Sequence, residues 1–242
     1  MEVAQPDAAR KSRPPLTRER VLRAAVELAD ERGIQALTMR SLGQELGVEA
    51  MSLYNHVSNK DDVLDGIVEV VVGEVLAAVD AIEPPDDATE WQPVVRARIL
   101  AARDVLLRHR WAPGVLESRT DMPPSLLGYY DSLLRLMRGG GFSLDLAHHA
   151  LHALGSRALG FSQELFVTDD KDVDPDVMAL MLQQMAGRYP DLAELMRIVA
   201  HDDESTLGSG CDDQFEFEFG LDVILDGLER LRERDWQLAD GA

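Results

Sequence analysis

The chain has 242 residues, 45% of them hydrophobic, and a single cysteine, Cys211. That composition suits a folded core, argues against disorder and rules out an intrachain disulfide. A formal charge of −20 opposes association with a polyanion unless the charge is unevenly placed. It is: residues 1–60 hold 9 Lys/Arg against 8 Asp/Glu, and the remainder holds 15 against 36. No apolar run approaches the roughly 20 residues that span a bilayer. The N-terminus has no apolar signal-peptide core, which places the protein in the cytoplasm.

Residues 1–16 are polar, contain Pro6, Pro14 and Pro15, and read as a flexible basic arm. Thr17 then caps a first helix on which Val21, Ala25, Leu28 and Ala29 share one face. Gly33 fits the left-handed position that ends it. Thr38 caps a short second helix with Leu42 and Leu46 on one side, and Gly47 stops it. A third helix is predicted from Glu49 to His56. A fourth runs from the cap Asn59 to about Ile82, with Asp61 and Asp62 in its first turn, where negative charge suits the helix dipole. Glu83-Pro84-Pro85-Asp86-Asp87 breaks the chain. Further helices are predicted at 92–109, 124–138, 143–167, 175–187, 190–200 and 213–234, with a Gly-containing polar loop at 202–213. No segment alternates like a strand, so the fold class is all-α.

Two of these helices carry seams for packing against other helices. Leu144, Ala147, Leu151, Leu154, Ala158, Phe161 and Leu165 repeat at 3-4 spacing, as do Phe217, Leu221, Ile224, Leu228 and Leu231. Apolar residues off the seam (Leu146, Ala150, Ala153; Phe215, Phe219, Val223) imply burial on a second side. One face of each helix is expected to form a two-fold dimer interface, with Leu151, Leu154, Ala158, Leu221, Ile224 and Leu228 in it.

The segment from Leu37 to Val57 reads as helix, tight glycine turn, helix. Leu42, Leu46, Val48, Leu53 and Val57 form an apolar set that fixes the crossing of the two helices. Ala50, Met51, Ser52, Asn55 and His56 are left facing outward. These small or uncharged side chains can reach base edges in a major groove about 12 Å wide. Tyr54 and Lys60 flank the helix and suit phosphate contacts, and the helix start at Asn59 offers free N–H groups to another phosphate.

The run Leu37-Thr38-Met39-Arg40-Ser41-Leu42, then Leu46-Gly47-Val48, then Leu53-Tyr54-Asn55-His56-Val57-Ser58-Asn59-Lys60 resembles the DNA-binding domain of the tetracycline-repressor (TetR) family. The likeness extends over residues 17–64, leaving 65–242 as a helical effector-binding and dimerisation domain. That larger part is similar to the C-terminal domain of the tetracycline-repressor branch at Trp91-Gln92-Pro93, Gly140-Gly141-Phe142-Ser143-Leu144 and Phe217-Glu218-Phe219-Gly220-Leu221-Asp222. The resemblance implies a homodimer on a palindromic double-stranded operator, released when a small-molecule effector fills the C-terminal domain. It implies that Arg40, Ala50, Met51 and Ser52 face bases, while Thr38, Tyr54, His56 and Lys60 contact or orient the backbone.

The effector site is less marked. The stretch Gly114–Arg119 has Val115 and no histidine where tetracycline-binding members hold a drug-bound magnesium ion, and Leu76 replaces a polar drug contact. A largely apolar effector is therefore expected, with no cofactor. Candidate walls are Leu116, Met122, Tyr129, Phe142, Phe161, Met178 and Met181, with His149, Arg157 and Gln163 as polar contacts. His148 and His152 have the i, i+4 spacing that can chelate a metal, but no acidic or cysteine partner is near except Asp145, and they are read as structural. Metal-responsive regulation and a helical interaction module without DNA binding are the alternatives. No Gly-rich phosphate loop, nucleophile elbow or paired metal-ligand signature supports an enzyme.

Overall fold

Capping side chains set where the first helices begin. The computed structural model describes residues 15–84, 87, 90–119, 122–160, 180, 183–184, 186–199 and 213–237. Thr17 accepts a hydrogen bond from the Arg20 N–H at 3.2 Å and starts α1 (Arg18–Arg32). Thr38 and Ser41 cap each other's backbone N–H at 3.0 and 2.9 Å, a reciprocal box that starts α2 (Met39–Leu46). After α3 (Ala50–Leu53), the Asn59 side chain accepts from the Asp62 N–H at 2.8 Å and starts α4 (Lys60–Asp80). Then follow α5 (Trp91–Arg108), α6 (Ala112–Glu117), α7 (Pro124–Gly139), α8 (Leu144–Gly160), α9 (Pro190–Val199) and α10 (Asp213–Glu233). No strand occurs among the described residues.

The chain divides into two compact units. The first holds residues up to Val79 together with Asp104–Gly128, so the expected boundary at 64/65 falls inside α4 and within this unit. Its core is built from one face of each short helix: Val21, Ala25 and Leu28 of α1, Leu42 of α2, Leu53 of α3 and Ile67 of α4 are almost fully buried, and Leu37 and Val57 join them from the connections. Val48 closes this core from its edge. Gly43 is required for it. A Cβ there would lie 3.0 Å from the Val48 carbonyl oxygen and 3.1 Å from the Ala50 nitrogen, both rigid backbone.

The second unit holds Asp80–Arg103 and the chain from Tyr129 onward. Trp91, Val95, Ile99 and Ala102 bury one stripe of α5. Leu146, Ala147, Ala150 and Leu154 of α8 pack with Phe217, Leu221, Leu225 and Leu228 of α10. Polar rungs lock α5 antiparallel to α10: Trp91 Nε1 donates to Glu229 at 2.9 Å, Gln92 to Asp226 at 3.0 Å, Arg96 to Asp222 and Glu218 at 2.6 and 2.7 Å, and Arg103 to Gln214 at 3.2 Å. At the end of α7, Gly140 lets the chain approach Trp91, whose side chain a Cβ would meet at 2.9 Å. Phe142 then stands edge-on to the Trp91 ring, centroids 4.6 Å apart.

Several expectations are corrected. The third helix is one turn, Ala50–Leu53, and residues 54–57 continue as hydrogen-bonded turns closing on Ser52 and Leu53. Gly33 has φ 78° and ψ 156°, positive but not left-handed helical, because the chain leaves α1 directly into a 3₁₀ turn at Ile34–Ala36. Gly47 does take the left-handed cap. α6 was not expected at all. Leu144, predicted in the α8 seam, is 63% exposed, since it lies at the first residue of the helix. The predicted extension of α8 through Phe161 and Leu165, Cys211 and most of the 175–187 helix lie outside the described residues.

Candidate nucleic-acid interface and effector residues

The buried frame of α2 and α3 leaves an uncharged edge in water. Met51 is 72% exposed and Tyr54 44%, and Asn55 is also exposed. Ala50, Ser52 and His56 are half-buried beside them. No charged residue stands between Glu49 and Lys60. Arg40 is exposed on α2 and Lys60 at the first residue of α4. Thr38 is exposed too, but its hydroxyl is engaged in the cap of α2. Its part is to fix the helix that carries Arg40.

Charge is distributed unequally over this unit. Arg18 pairs with Asp62 at 2.6 Å, Arg23 with Glu19 at 2.7 Å and Arg32 with Glu45 at 3.3 Å. Arg40 and Lys60 have no ion pair among the described residues. The Arg18–Asp62 pair ties the start of α1 to the start of α4, and Arg18 also donates to the His56 carbonyl at 3.4 Å. Asp62 further accepts from the Ser58 N–H at 2.7 Å. The Arg18 guanidinium first, then that N–H, holds the Asp62 carboxyl below its ordinary range. These bonds brace the turn that follows α3 from both sides.

A second brace lies at the other end of α1. His109 is buried, with Nδ1 at 2.9 and 3.0 Å from the two carboxylate oxygens of Asp30 and Nε2 3.3 Å from Glu74 of α4. Trp111 Nε1 donates to the same Asp30 at 2.6 Å. Arg119, past the end of α6, reaches Asp61 and Asp65 of α4 at 3.4 and 3.3 Å. Beside it Asp61, Asp65, Val68, Glu69, Arg119 and Met122 line an open groove of about 520 Å³.

The effector candidates fall in both units. Leu116 packs with Val68, Val72 and Val115 in the first unit, where Met122 is 51% exposed at the groove. Tyr129, Phe142, His149 and Arg157 belong to the second unit. Tyr129 is buried, and burial pushes its phenol well above the ordinary range. Phe142 is core against Trp91. His149 is exposed, edge-on to Trp236 at 5.5 Å. Arg157 donates to the Glu216 carbonyl and lies 5.0 Å from the centroid of the Phe217 ring, which Arg103 approaches at 4.1 Å. Phe161, Gln163, Met178 and Met181 lie outside the described residues. The His148 and His152 rings are 4.7 Å apart, and no group of three or more potential metal ligands occurs among the described residues.

Of the interface candidates, Leu154, Leu221 and Leu228 are buried within the chain's own core, while Leu151, Ala158 and Ile224 are half-buried. The outward apolar stripe on α10 is instead Phe215, Phe219 and Val223, 63, 59 and 57% exposed at i, i+4, i+8. The sequence had marked these three as lying off the seam and implying burial on a second side, whereas within the chain they are exposed. It gave no sign of the Asp30–His109–Glu74 bridge, of Arg119 or of Arg103. The i, i+4 spacing of Glu218, Asp222 and Asp226 is the sequence signal that could have found this polar face; nothing local names its partner helix.

Residues 21–67 match the family model described as bacterial regulatory proteins, tetR family, and residues 83–232 match that of the tetracyclin repressor-like C-terminal domain. The chain is 31% identical to the HTH-type transcriptional repressor DrrR1 of Streptomyces coeruleorubidus, covering 92% of this chain and 80% of that protein. It is 32% identical to the class D tetracycline repressor protein of Escherichia coli over 88% of this chain and 89% of that one. Among solved structures, the Streptomyces coelicolor TetR family protein ActR in complex with (S)-DNPA superimposes with a TM-score of 0.64 at 26% identity, covering 89% of this chain and 98% of that one. These relatives are transcription regulators, not enzymes.

Proposed function

The chain belongs to the tetR family of bacterial regulatory proteins and has a tetracyclin repressor-like C-terminal domain, and from that premise we propose that it is a homodimeric repressor which leaves a palindromic operator when a small, largely apolar molecule fills its C-terminal domain. One observation carries the DNA-reading half: a buried helix-turn-helix frame presents an uncharged edge flanked by two cations, Arg40 and Lys60, that the fold does not use. A bidentate guanidinium suits guanine, and an ammonium beside a helix start suits phosphate. The acidic remainder of the chain opposes non-specific attachment to DNA and leaves affinity to these contacts.

The dimer is supported by Phe215, Phe219 and Val223, exposed apolar side chains at i, i+4 and i+8 on α10, the kind of patch that marks an interaction surface. A second copy would cover it with the same stripe, as two-fold symmetry requires. Release follows a population shift. The effector favours the state in which α4 tilts and the two reading helices lose operator spacing. It acts only by the difference in its affinity for the two states. The protein acts in the cytoplasm, where the operator is.

The test is a gel shift of the full chain on the DNA flanking its own gene, at physiological salt and with excess competitor DNA. A complex that survives competitor and is dissolved by apolar small molecules is expected. If genomic selection in cell extract also yields no bound sequence, the DNA-reading proposal is overturned. The double substitution Phe215→Asp and Phe219→Asp should give monomers by light scattering; an unchanged mass would remove the stripe from the interface.

A further inference from the structure

Met51 is 72% exposed, the most exposed of the large hydrophobic side chains in the described chain. It stands on the one-turn helix α3, whose opposite side is anchored by Leu53 at 0% exposure. An isolated apolar side chain in water is unremarkable on most surfaces. Here it lies in a segment with no Asp, Glu, Lys or Arg from residue 50 to 59, which the exposed Arg40 precedes and the exposed Lys60 follows in the chain. Ala50, the preceding residue, has only a methyl group, and Met51 is more exposed than the neighbouring Tyr54, at 72% against 44%. The four base pairs are told apart in the major groove by their donors and acceptors and by one apolar feature, the C5 methyl of thymine. A thioether chain cannot donate and accepts only weakly. The group on DNA that rewards its burial is that methyl.

Resting on the DNA-reading proposal above, we propose that Met51 reads a thymine C5 methyl in each operator half-site, so that this position is specified by apolar contact rather than by hydrogen bonding. Arg40 and Lys60 place the helix; Met51 selects the base. Met51 is then a specificity-determining residue whose removal changes which base is preferred more than how strongly DNA in general is bound.

The experiment starts from duplexes enriched out of a random-sequence pool by the full chain. Each thymine in an enriched duplex is replaced in turn by deoxyuridine, which lacks only the methyl and leaves base pairing unchanged. One position per half-site is expected to raise Kd about fourfold, the loss that corresponds to one buried methyl group at roughly 0.8 kcal/mol. Met51→Ala should bind the thymine and uracil duplexes equally, while Met51→Leu retains the preference. If no thymine is sensitive, or if the same penalty persists in Met51→Ala, the inference is overturned while specific DNA binding stands. If no sequence is enriched, the DNA-reading proposal falls and this inference with it.

Discussion

The cations of α5 and those of the helix-turn-helix do opposite things. On α5, Arg96 is bound by two carboxylates of α10 and Arg103 by Gln214 and the face of Phe217. On α2 and at the start of α4, Arg40 and Lys60 are bound by nothing in the described chain. The acidic side chains explain the contrast. α10 carries Glu218, Asp222, Asp226 and Glu229 on one face. Between Thr38 and Lys60 the only acidic residues are Glu45, which is engaged by Arg32, and Glu49. A cation bound inside the fold serves stability; one left over is available to the proposed operator.

Four substitutions or conditions break or sharpen that contrast. Trp91→Ala removes a fully buried ring that carries the α5–α10 rung to Glu229, and should cost about 3–5 kcal/mol in denaturant unfolding. A small loss would mean that α5 and α10 are held by their charges alone. Arg40→Ala should leave the unfolding midpoint unchanged, and weaken operator binding by about 1–3 kcal/mol with loss of preference at one base pair. A drop in stability there would show that the fold uses Arg40 after all. Thr38→Ala should cost about 1 kcal/mol of stability through the lost cap, yet leave the salt dependence of DNA affinity as it was; a shallower salt slope would make Thr38 a phosphate contact instead. The smallest effect is in acid. Because Asp62 is held below its ordinary value, the Arg18–Asp62 brace contributes fully above about pH 4 and is lost as pH falls below that. Asp62→Asn should flatten the acid limb of a stability-against-pH curve, and an unaltered limb would show that the pair contributes nothing.

The helices were legible wherever a cap and at least two apolar repeats coincided, as at Thr17 with Val21, Ala25 and Leu28, or Thr38 with Leu42 and Leu46. The turn at Ile34–Ala36 and the six-residue α6 were not, because a segment of three to six residues is too short to show a helical period. The candidate reading edge could be proposed from the sequence because it is contiguous: all of its residues lie within 23 positions, from Thr38 to Lys60. The bonds that hold that edge in place were not. His109 meets Asp30 across 79 residues and Glu74 across 35, and Arg18 meets Asp62 across 44, so no local pattern announces them. The effector candidates rest on side-chain chemistry along single helices, which carries no long-range contact: nothing local announces that Phe142 packs edge-on to Trp91 beside Gly140.

The separation of frame from edge around Gly43 bears on how such a protein is retargeted. Leu42, Gly43, Leu53 and Val57 are locked by burial or by backbone contact, and a change at any of them is felt by the whole unit. The side chains of Met51 and Asn55 are exposed outside that buried set and open to replacement one at a time. The molecule is thus a chassis with an interchangeable alphabet. On the proposed function, libraries confined to positions 50, 51, 52 and 55 should yield orthogonal regulators, each blind to the others' operators.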